Sequence, residues 1–375
     1  MNIQQSVKER YEQGAQAREE ALCCPVDYDP QYLKIIPQEV LDRDYGCGDP
    51  SQYVREGETV LDLGSGGGKI CFIASQVVGK GGQVIGVDMT PDMLDLAKQS
   101  APLVAEKVGY DNVTFKRGHI EDLKTDLDLV DTYLKDHPVI SAEDYEALQR
   151  QLDKDRAENP LIADSSVDVI VSNCVLNLVA DEQKRQLFDE MFRVLKVGGR
   201  IAISDIVSDE ISPDHLKKDD KLWSGCVSGA LQEAEFLVAL EDAGFHGIVV
   251  DKYESEPWQI VEGIEYRSVT VLAWKGEAGP ALEKNQSVIY KGPFKQVEDE
   301  DGNVFERGER MAVSGKTFTR MMSEPYAESF VPVEPALAVI GEDAFDNSYA
   351  RLRDPQETKA GKAKITSDPT QSSCC

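Results

Sequence analysis

Four cysteines stand far apart along the chain, in segments typical of loops or strand ends. They are Cys47, Cys71, Cys174 and Cys226. Thiolates bind thiophilic atoms and exchange electrons with other thiols. A single free cysteine is commonly a small apolar residue of a protein core. Four of them at loop positions instead favour a shared chemical role.

A glycine-rich run directly precedes Cys71 and has the form of a nucleotide-binding loop. The run 64–68 (Gly-Ser-Gly-Gly-Gly) follows a predicted strand, 58–63, and opens a predicted helix, 69–78. Glycines there let the backbone approach a ligand closely, and Asp88 ends the next strand, where a carboxylate can accept ribose hydroxyls. The run lacks the Ser or Thr that a P-loop places after its lysine. NAD and S-adenosylmethionine are both candidate ligands.

Three details favour S-adenosylmethionine over NAD, because they resemble class I methyltransferases. Asp62 stands just before the glycine loop, where such enzymes position the methionine end of the cofactor. Glu121 follows Ile120 at the end of the third predicted strand, where they contact adenine. The segment 193–199, before the fifth predicted strand, also resembles that superfamily. A dehydrogenase is the weaker alternative.

Apolar strands alternate with helices between residues 58 and 205, which predicts a doubly wound α/β sheet buried on both faces. The acidic segment 122–160 breaks the rhythm and is predicted to be a helical insertion. Ligands of such sheets collect beyond the carboxyl ends of the strands. Because Cys71, Cys174 and Cys226 all follow predicted strands, we expect them to face one crevice.

Composition restricts the partners and the compartment. The chain has 375 residues and a formal net charge of −28, from 68 acidic and 40 basic side chains. Such a charge repels phosphate groups, which disfavours nucleic acid and anionic membranes as partners. No apolar run is long enough to span a bilayer, and the first residues do not resemble a secretory signal, so we expect a cytoplasmic protein. Cysteines this widely spaced, with four His, disfavour a zinc finger or ribbon.

The chain closely resembles the arsenite S-adenosylmethionine methyltransferases. The resemblance is strong over about residues 40–275 and weaker beyond. The stretches 172–175 (Ser-Asn-Cys-Val) and 223–226 (Trp-Ser-Gly-Cys) are more specific for this family than the glycine loop is. The matching stretches are 44–48, 62–66, 86–90, 172–178 and 222–230, followed by 290–294 and 307–310.

The resemblance implies roles for particular residues. Cys174 and Cys226 would bind As(III), with Cys71 as a third thiolate. Cys47 would form a disulfide with Cys71, which thioredoxin or glutathione would reset. The methyl acceptor would be the arsenic lone pair, so no general base is needed, and His119, His137, His215 and His246 are expected at the surface. The implied cofactor-binding residues are Tyr45, Asp62, Gly64, Ser65, Gly66, Asp88, Met89, Ile120, Glu121 and Asn173.

These expectations divide the chain into four segments. Residues 1–205 are the predicted Rossmann-like domain that binds S-adenosylmethionine, with an N-terminal helical extension and the 122–160 insertion. Residues 206–283 are the predicted arsenic-binding region, 284–345 a small C-terminal α+β domain, and 346–375 a disordered tail. The pair Cys374-Cys375 either has no role or acts as a thiol relay or in metalloid loading, and no role is predicted for Cys23-Cys24. A monomer is expected.

Two other functions stay open at this stage. A class I methyltransferase acting on a small metabolite would carry the same cofactor loop, and its cysteines would be structural. A non-enzymatic metalloid sensor or buffer would bind arsenite without forming a product. The glycine loop, Asp88 and Glu121 argue against the sensor, because a buffer has no need of a methyl donor.

Overall fold

The computed structural model describes residues 10, 26, 28–43, 45–336, 343–346 and 352–359. Most of the predicted N-terminal helical extension, both vicinal cysteine pairs and most of the predicted tail lie outside these residues. The chain forms two compact units, Met1–Lys275 and Gly276–Cys375. Within the described ranges, no helix combines the length and the apolar character that crossing a membrane requires.

An eight-stranded mixed sheet forms the frame of the first unit. Its spatial order is β3-β2-β1-β4-β5-β8-β6, with β7 paired to β8. Strands β1 to β5 pair in parallel, whereas β6, β7 and β8 are antiparallel to their partners. The strands are β1 Thr59–Leu63, β2 Gln83–Asp88, β3 Val113–Arg117, β4 Val167–Asn173, β5 Leu195–Ser208, β6 Phe245–Tyr253, β7 Gln259–Val261 and β8 Ile264–Lys275.

Both faces of this sheet are buried, as the apolar strands predict. Along β1, Leu61 and Leu63 belong to one hydrophobic cluster, whereas Val60 belongs to another. Successive side chains of a strand point to opposite faces, so the two clusters cover the two faces. The strand order reverses between β1 and β4, which is where doubly wound sheets bind ligands. The predicted α/β class is confirmed.

Helices supply the two layers that cover the sheet. The first cluster includes Phe188 of one helix and Phe236 of another, and the second includes Phe72 and Leu94. A short pair of helices precedes the sheet. In chain order the helices up to this point are α1 Pro30–Leu33, α2 Gln38–Asp42, α3 Lys69–Val78, α4 Pro91–Val108, α5 Leu127–Asp136, α6 Ala142–Glu158, α7 Asp181–Val194, α8 Asp214–Lys217, α9 Asp220–Ser224 and α10 Glu233–Asp242.

The predicted 122–160 insertion is helical, but it does not cover the sheet deeply. Helices α5 and α6 contain no buried residue. Within the insertion, Arg156 of α6 donates to Asp122 and Thr125, at 2.9 and 2.8 Å. Arg117 of β3 donates to Asp128 and Asp131 of α5, at 3.2 and 2.7 Å. Ion pairs therefore join α5 to β3, whereas Leu123, before the two helices, is fully buried in the core.

Strand β5 is longer than the sequence pattern predicts. It runs from Leu195 to Ser208 instead of ending at Asp205, because β8 pairs with it from Arg200 onwards. The polar segment that follows carries the short helices α8 and α9 and then the turn with Cys226. The assignment of 206–283 as a separate arsenic-binding region stays a prediction.

The second unit is small and mixes strands with short helices. A three-stranded antiparallel sheet has β9 between β12 and β13, and β10 and β11 form a separate antiparallel pair. Buried Val288, Phe305 and Phe330 lie in its core. Its elements are β9 Gln286–Tyr290, β10 Gln296–Glu298, β11 Val304–Glu306, β12 Arg310–Val313, α11 Gly315–Met321, β13 Phe330–Val333 and α12 Pro355–Lys359.

Candidate active site

The glycine loop follows β1, and its backbone has a conformation that side chains would hinder. Gly64, Gly66 and Gly68 all have positive φ, at 72°, 50° and 91°. A Cβ on Gly64 would lie 2.5 Å from a methyl carbon of Val175, whereas a Cβ on Gly66 would meet nothing within 4 Å. Gly66 therefore exposes backbone to open space, which is what close approach of a ligand requires.

Asp88 fixes this loop from the end of β2. Its carboxylate accepts hydrogen bonds from the backbone N–H groups of Gly66 and Thr90, at 2.9 and 2.8 Å. Burial raises the pKa of Asp88, and these backbone donors oppose that shift. The carboxylate is thus held beside the glycine loop, where its predicted role of accepting ribose hydroxyls requires it.

A cavity opens between this loop and the ends of β3 and β4. It is partly open to solvent, and the space between its walls, including that open part, is about 890 Å³. Arg43, Thr90 and Met93 also line it, although the sequence analysis did not select them. The predicted cofactor residues that line the cavity are Tyr45, Gly64, Ser65, Gly66, Asp88, Met89, Ile120 and Glu121.

Asp62 and Cys71 do not line this cavity. Cys71 is fully buried in α3, and its thiol donates to a carboxylate oxygen of Asp62 at 3.2 Å. Burial raises the pKa of the Cys71 thiol well above its usual value, and the neighbouring Asp62 carboxylate raises it further. Contrary to expectation, Cys71 does not open into the cavity in this structure, and its role as a third arsenic ligand stays a prediction.

The predicted Cys47–Cys71 disulfide is also wrong, because Cys47 is bonded to Cys174. Asn173 holds the Cys47 loop against the end of β4: its side-chain oxygen accepts from the N–H groups of Cys47 and Gly48, at 2.9 and 3.2 Å, and its amide donates to the Gly48 carbonyl at 2.7 Å. This clamp brings Cys47 beside Cys174. Asn173, a predicted cofactor residue, does not line the cavity.

Cys226 reaches the same place from the turn after α9. Its thiol donates to the backbone carbonyl of Cys174 at 3.0 Å. Both residues have positive φ, 61° for Cys226 and 57° for Cys174. This conformation is uncommon outside glycine and tends to occur where function requires a strained backbone. Leu178 and Trp223 pack against Cys226 in a cluster of buried residues.

Asp205 is a buried carboxylate next to these thiols that the sequence analysis missed. It accepts hydrogen bonds from the N–H groups of Leu176 and Ile206 and from the Asn177 amide, at 2.9, 2.7 and 2.8 Å. Burial raises the pKa of Asp205 to about 6. An acidic residue at the end of an otherwise apolar run, as in Asp88, was the available signal.

The histidines differ from their predicted surface positions in two cases. His246 is buried, at 5% exposure, in β6. His119 lines the cavity, and its Nδ1 lies 3.8 Å from a carboxylate oxygen of Glu121.

The parallel sheet, the glycine loop and the acid at the end of β2 fit an S-adenosylmethionine-dependent methyltransferase, and comparison with protein families assigns the chain to the methyltransferases. A family model described as a methyltransferase domain matches residues 55–159 and 140–244. A model described only as a domain of unknown function matches residues 277–363 of the second unit.

Comparison with characterised proteins narrows the class. The arsenite methyltransferase of Aquipseudomonas alcaligenes is 32% identical over 327 residues, covering 82% of this chain and 83% of that protein. The Homo sapiens arsenite methyltransferase is 31% identical, covering 80% and 73%. The crystal structure of an arsenic(III) S-adenosylmethionine methyltransferase from Chlamydomonas reinhardtii is 29% identical, with a TM-score of 0.56, and the match covers 86% of this chain and all of that one. The chain belongs to the arsenite methyltransferase family.

Proposed function

We propose that this protein transfers methyl groups from S-adenosylmethionine to As(III) held by the thiolates of Cys174 and Cys226. One observation carries the proposal: Cys174 lines the cavity of the glycine loop, and its carbonyl accepts a hydrogen bond from the Cys226 thiol at 3.0 Å. Arsenic bound at these two sulfurs would therefore lie against the cavity of the methyl donor.

The cavity residues fit an adenosyl group with a sulfonium tail. Gly66 leaves open space at its α-carbon, and Asp88 offers carboxylate lone pairs suited to ribose hydroxyls. Glu121 and Ile120 line the wall that is assigned to adenine by analogy with related enzymes. The bound cofactor supplies an electrophilic methyl group. The protein contributes orientation and exclusion of water, and proximity of this kind can lower a barrier by roughly 7–11 kcal/mol.

Soft thiolates suit trivalent arsenic, and three of them would leave its lone pair free. Cys71 is our candidate for the third thiolate. As its bond to arsenic forms, the thiol proton would leave with an arsenite hydroxyl as water, and Asp62, which accepts a hydrogen bond from this thiol at 3.2 Å, would carry the proton. The raised pKa of Cys71 means that this step requires a change at the site, such as the arrival of arsenic. Tyr45 and Met89 line the cavity that we assign to the cofactor.

A thiol reductant is the second co-substrate that we propose, in the form of thioredoxin or glutathione. The Cys47–Cys174 disulfide ties up one proposed arsenic ligand, so it must open before arsenic binds. Two reductant thiols would become a disulfide, and Cys47 and Cys174 would gain their hydrogens. Methyl transfer to the arsenic lone pair leaves arsenic pentavalent, and two thiolates that form a disulfide return the two electrons. Such a cycle needs a reducing compartment, so we propose the cytoplasm, with the protein acting as a monomer.

The test is incubation of the purified protein with S-adenosylmethionine, arsenite and a thiol reductant, followed by chromatographic separation of the arsenic species. Methylated arsenic is expected with the natural chain and none with Cys174→Ser or Cys226→Ser. Cys374→Ser, outside the described residues, is the matched control and should keep full activity. Full activity in Cys174→Ser would refute the thiolate site. Unchanged arsenite with the natural chain, despite proven cofactor binding, would favour a metabolite methyltransferase.

A further inference from the structure

Three side chains that can ligate a metal meet beside the cofactor cavity. One ligand atom each from Cys47, Cys174 and Asp205 lies within 4.8 Å of the other two. They come from three separate segments: the loop before β1, the end of β4, and β5. The backbone N–H of Cys174 donates to the Ser204 carbonyl at 2.8 Å, which sets Asp205 beside the disulfide.

The Asp205 carboxylate is oriented like that of a metal ligand. Three donors fix it, the N–H groups of Leu176 and Ile206 and the Asn177 amide. An ionised carboxylate has about four lone-pair sites, so one remains for a ligand, and a carboxylate oxygen lies within 4.8 Å of both sulfurs. Carboxylates that bind metals are commonly held in this way by outer hydrogen bonds.

The Cys47 loop is equally well fixed, independently of the disulfide. Asn173 binds its backbone, and the Ser268 hydroxyl donates to the Cys47 carbonyl at 2.6 Å. Cys47 and Asp205 are 6% and 2% exposed. Reduction of the disulfide would therefore leave two thiols and a carboxylate facing each other within a scaffold that the disulfide does not itself build.

We propose that, once the disulfide is reduced, Cys47, Cys174 and Asp205 bind a thiophilic divalent cation of the Zn²⁺ class. Zn²⁺ accepts cysteine sulfur at about 2.3 Å and carboxylate oxygen at about 2.0–2.2 Å, with water as a fourth ligand. Two thiols lose their protons to solvent as the ion binds, and no electrons are transferred. The cation would also compensate the charge of the buried Asp205 carboxylate.

The site differs from the proposed arsenic ligand set. It uses Cys47 and Asp205 and omits Cys226, and the two sites share only Cys174. If the proposed function is right, bound Zn²⁺ competes with arsenite and inhibits methylation. That consequence rests on the proposed function, whereas the binding of Zn²⁺ does not.

The experiment titrates reduced full-length protein with Zn²⁺ against a chromophoric chelator, and with Co²⁺ to record thiolate-to-metal charge transfer. The terminal cysteines would bind zinc too, so the background carries Cys23→Ser, Cys24→Ser, Cys374→Ser and Cys375→Ser. One ion per chain is expected, with a thiolate signal that vanishes when the disulfide forms. Cys47→Ser and Asp205→Asn should each weaken binding by at least about 100-fold, since losing even an outer-shell partner can cost roughly 10–100-fold.

Cys226→Ser is the control, and it should leave the Zn²⁺ affinity unchanged. Strong loss of affinity in Cys226→Ser with none in Cys47→Ser would overturn the proposal and assign the ion to the arsenic thiols. Equal binding by reduced and oxidised protein would overturn it as well. If circular dichroism shows that Asp205→Asn does not fold, the Zn²⁺ affinity of Cys47→Ser alone decides the proposal. Because no arsenic is present, the outcome is independent of whether arsenite is methylated.

Discussion

The Cys226 thiol donates to the backbone carbonyl of Cys174 at 3.0 Å, across a gap of 52 positions in the sequence. Each residue occupies a left-handed backbone conformation. That conformation costs a residue other than glycine roughly 1–2 kcal/mol. The surrounding structure therefore holds the two turns in place. Asn177 is part of that support, since its amide donates to Asp205 and to the Ile206 carbonyl. The Cys226 thiol and the Cys174 sulfur, which is part of the disulfide, are thus positioned before any ligand arrives.

Gly66 offers a test of the cofactor cavity with a built-in control. Gly66→Ala adds a methyl group at a φ of 50°, in a residue that lines the cavity. Gly57→Ala adds one at a φ of 81°, with nothing within 4 Å and no part in the cavity. We expect both to lower the free energy of unfolding by about 1–2 kcal/mol. Only Gly66→Ala should weaken S-adenosylmethionine binding, by at least about tenfold, as measured by calorimetry. Equal affinities in the two variants would place the cofactor elsewhere.

Asp205 should make stability depend on pH in the opposite sense to a salt-bridged acid. Burial raises its pKa from 3.8 to about 6, so between these values the folded state binds more protons than the unfolded state. The free energy of unfolding should therefore fall as pH rises through this window, by on the order of 3 kcal/mol. Asp205→Asn removes this titration. Denaturant unfolding of the natural chain and of Asp205→Asn at pH 4 and pH 7 measures this dependence. A difference in unfolding free energy between the two proteins that is the same at both pH values would contradict the raised pKa of Asp205.

Cys47 should control how readily arsenite binds to protein that has not been reduced. Cys47→Ser prevents the disulfide and leaves the Cys174 thiol free, so arsenite binding should no longer need prior reduction. Cys71→Ser is the control: it leaves the Cys47–Cys174 bond in place, so the need for reduction should remain. Thiol counting in denaturant, with arsenite binding measured before and after reduction, gives the answer. A requirement for reduction in Cys47→Ser would show that another bond blocks the site.

Asn173 should stabilise the Cys47 loop without contributing to cofactor affinity. Asn173→Ala removes the acceptor for two backbone N–H groups and the donor to the Gly48 carbonyl. Leaving such groups unpaired costs about 1–3 kcal/mol each, so the melting temperature should fall by several degrees. The dissociation constant for S-adenosylmethionine should stay within about twofold, because Asn173 does not line the cavity. Glu121→Ala, which alters a cavity wall, should raise it clearly. The reverse pattern would restore Asn173 as a cofactor residue.

Most of the fold and of the cofactor site could be predicted from short segments of the sequence. Near-continuous apolar strands, glycines that must adopt positive φ, and an acid at the end of β2 are all features of short segments, because strand burial and loop conformation depend on nearby residues. Gly64, Gly66, Asp88 and Glu121 were therefore predictable, and all four line the cavity. Cys174 and Cys226 were selected for the same reason, from short stretches that resemble a family.

The tertiary structure decided which of those residues meet. Cys47 and Cys174 are 127 positions apart, and spacing along the chain does not encode which thiol faces which. The pairing follows from Asn173 clamping one loop to the end of one strand, whereas α3 turns Cys71 toward Asp62. Asp205 acquired its place through the β4 and β5 pairing and its raised pKa through burial, which is a property of the packed core and of no single segment.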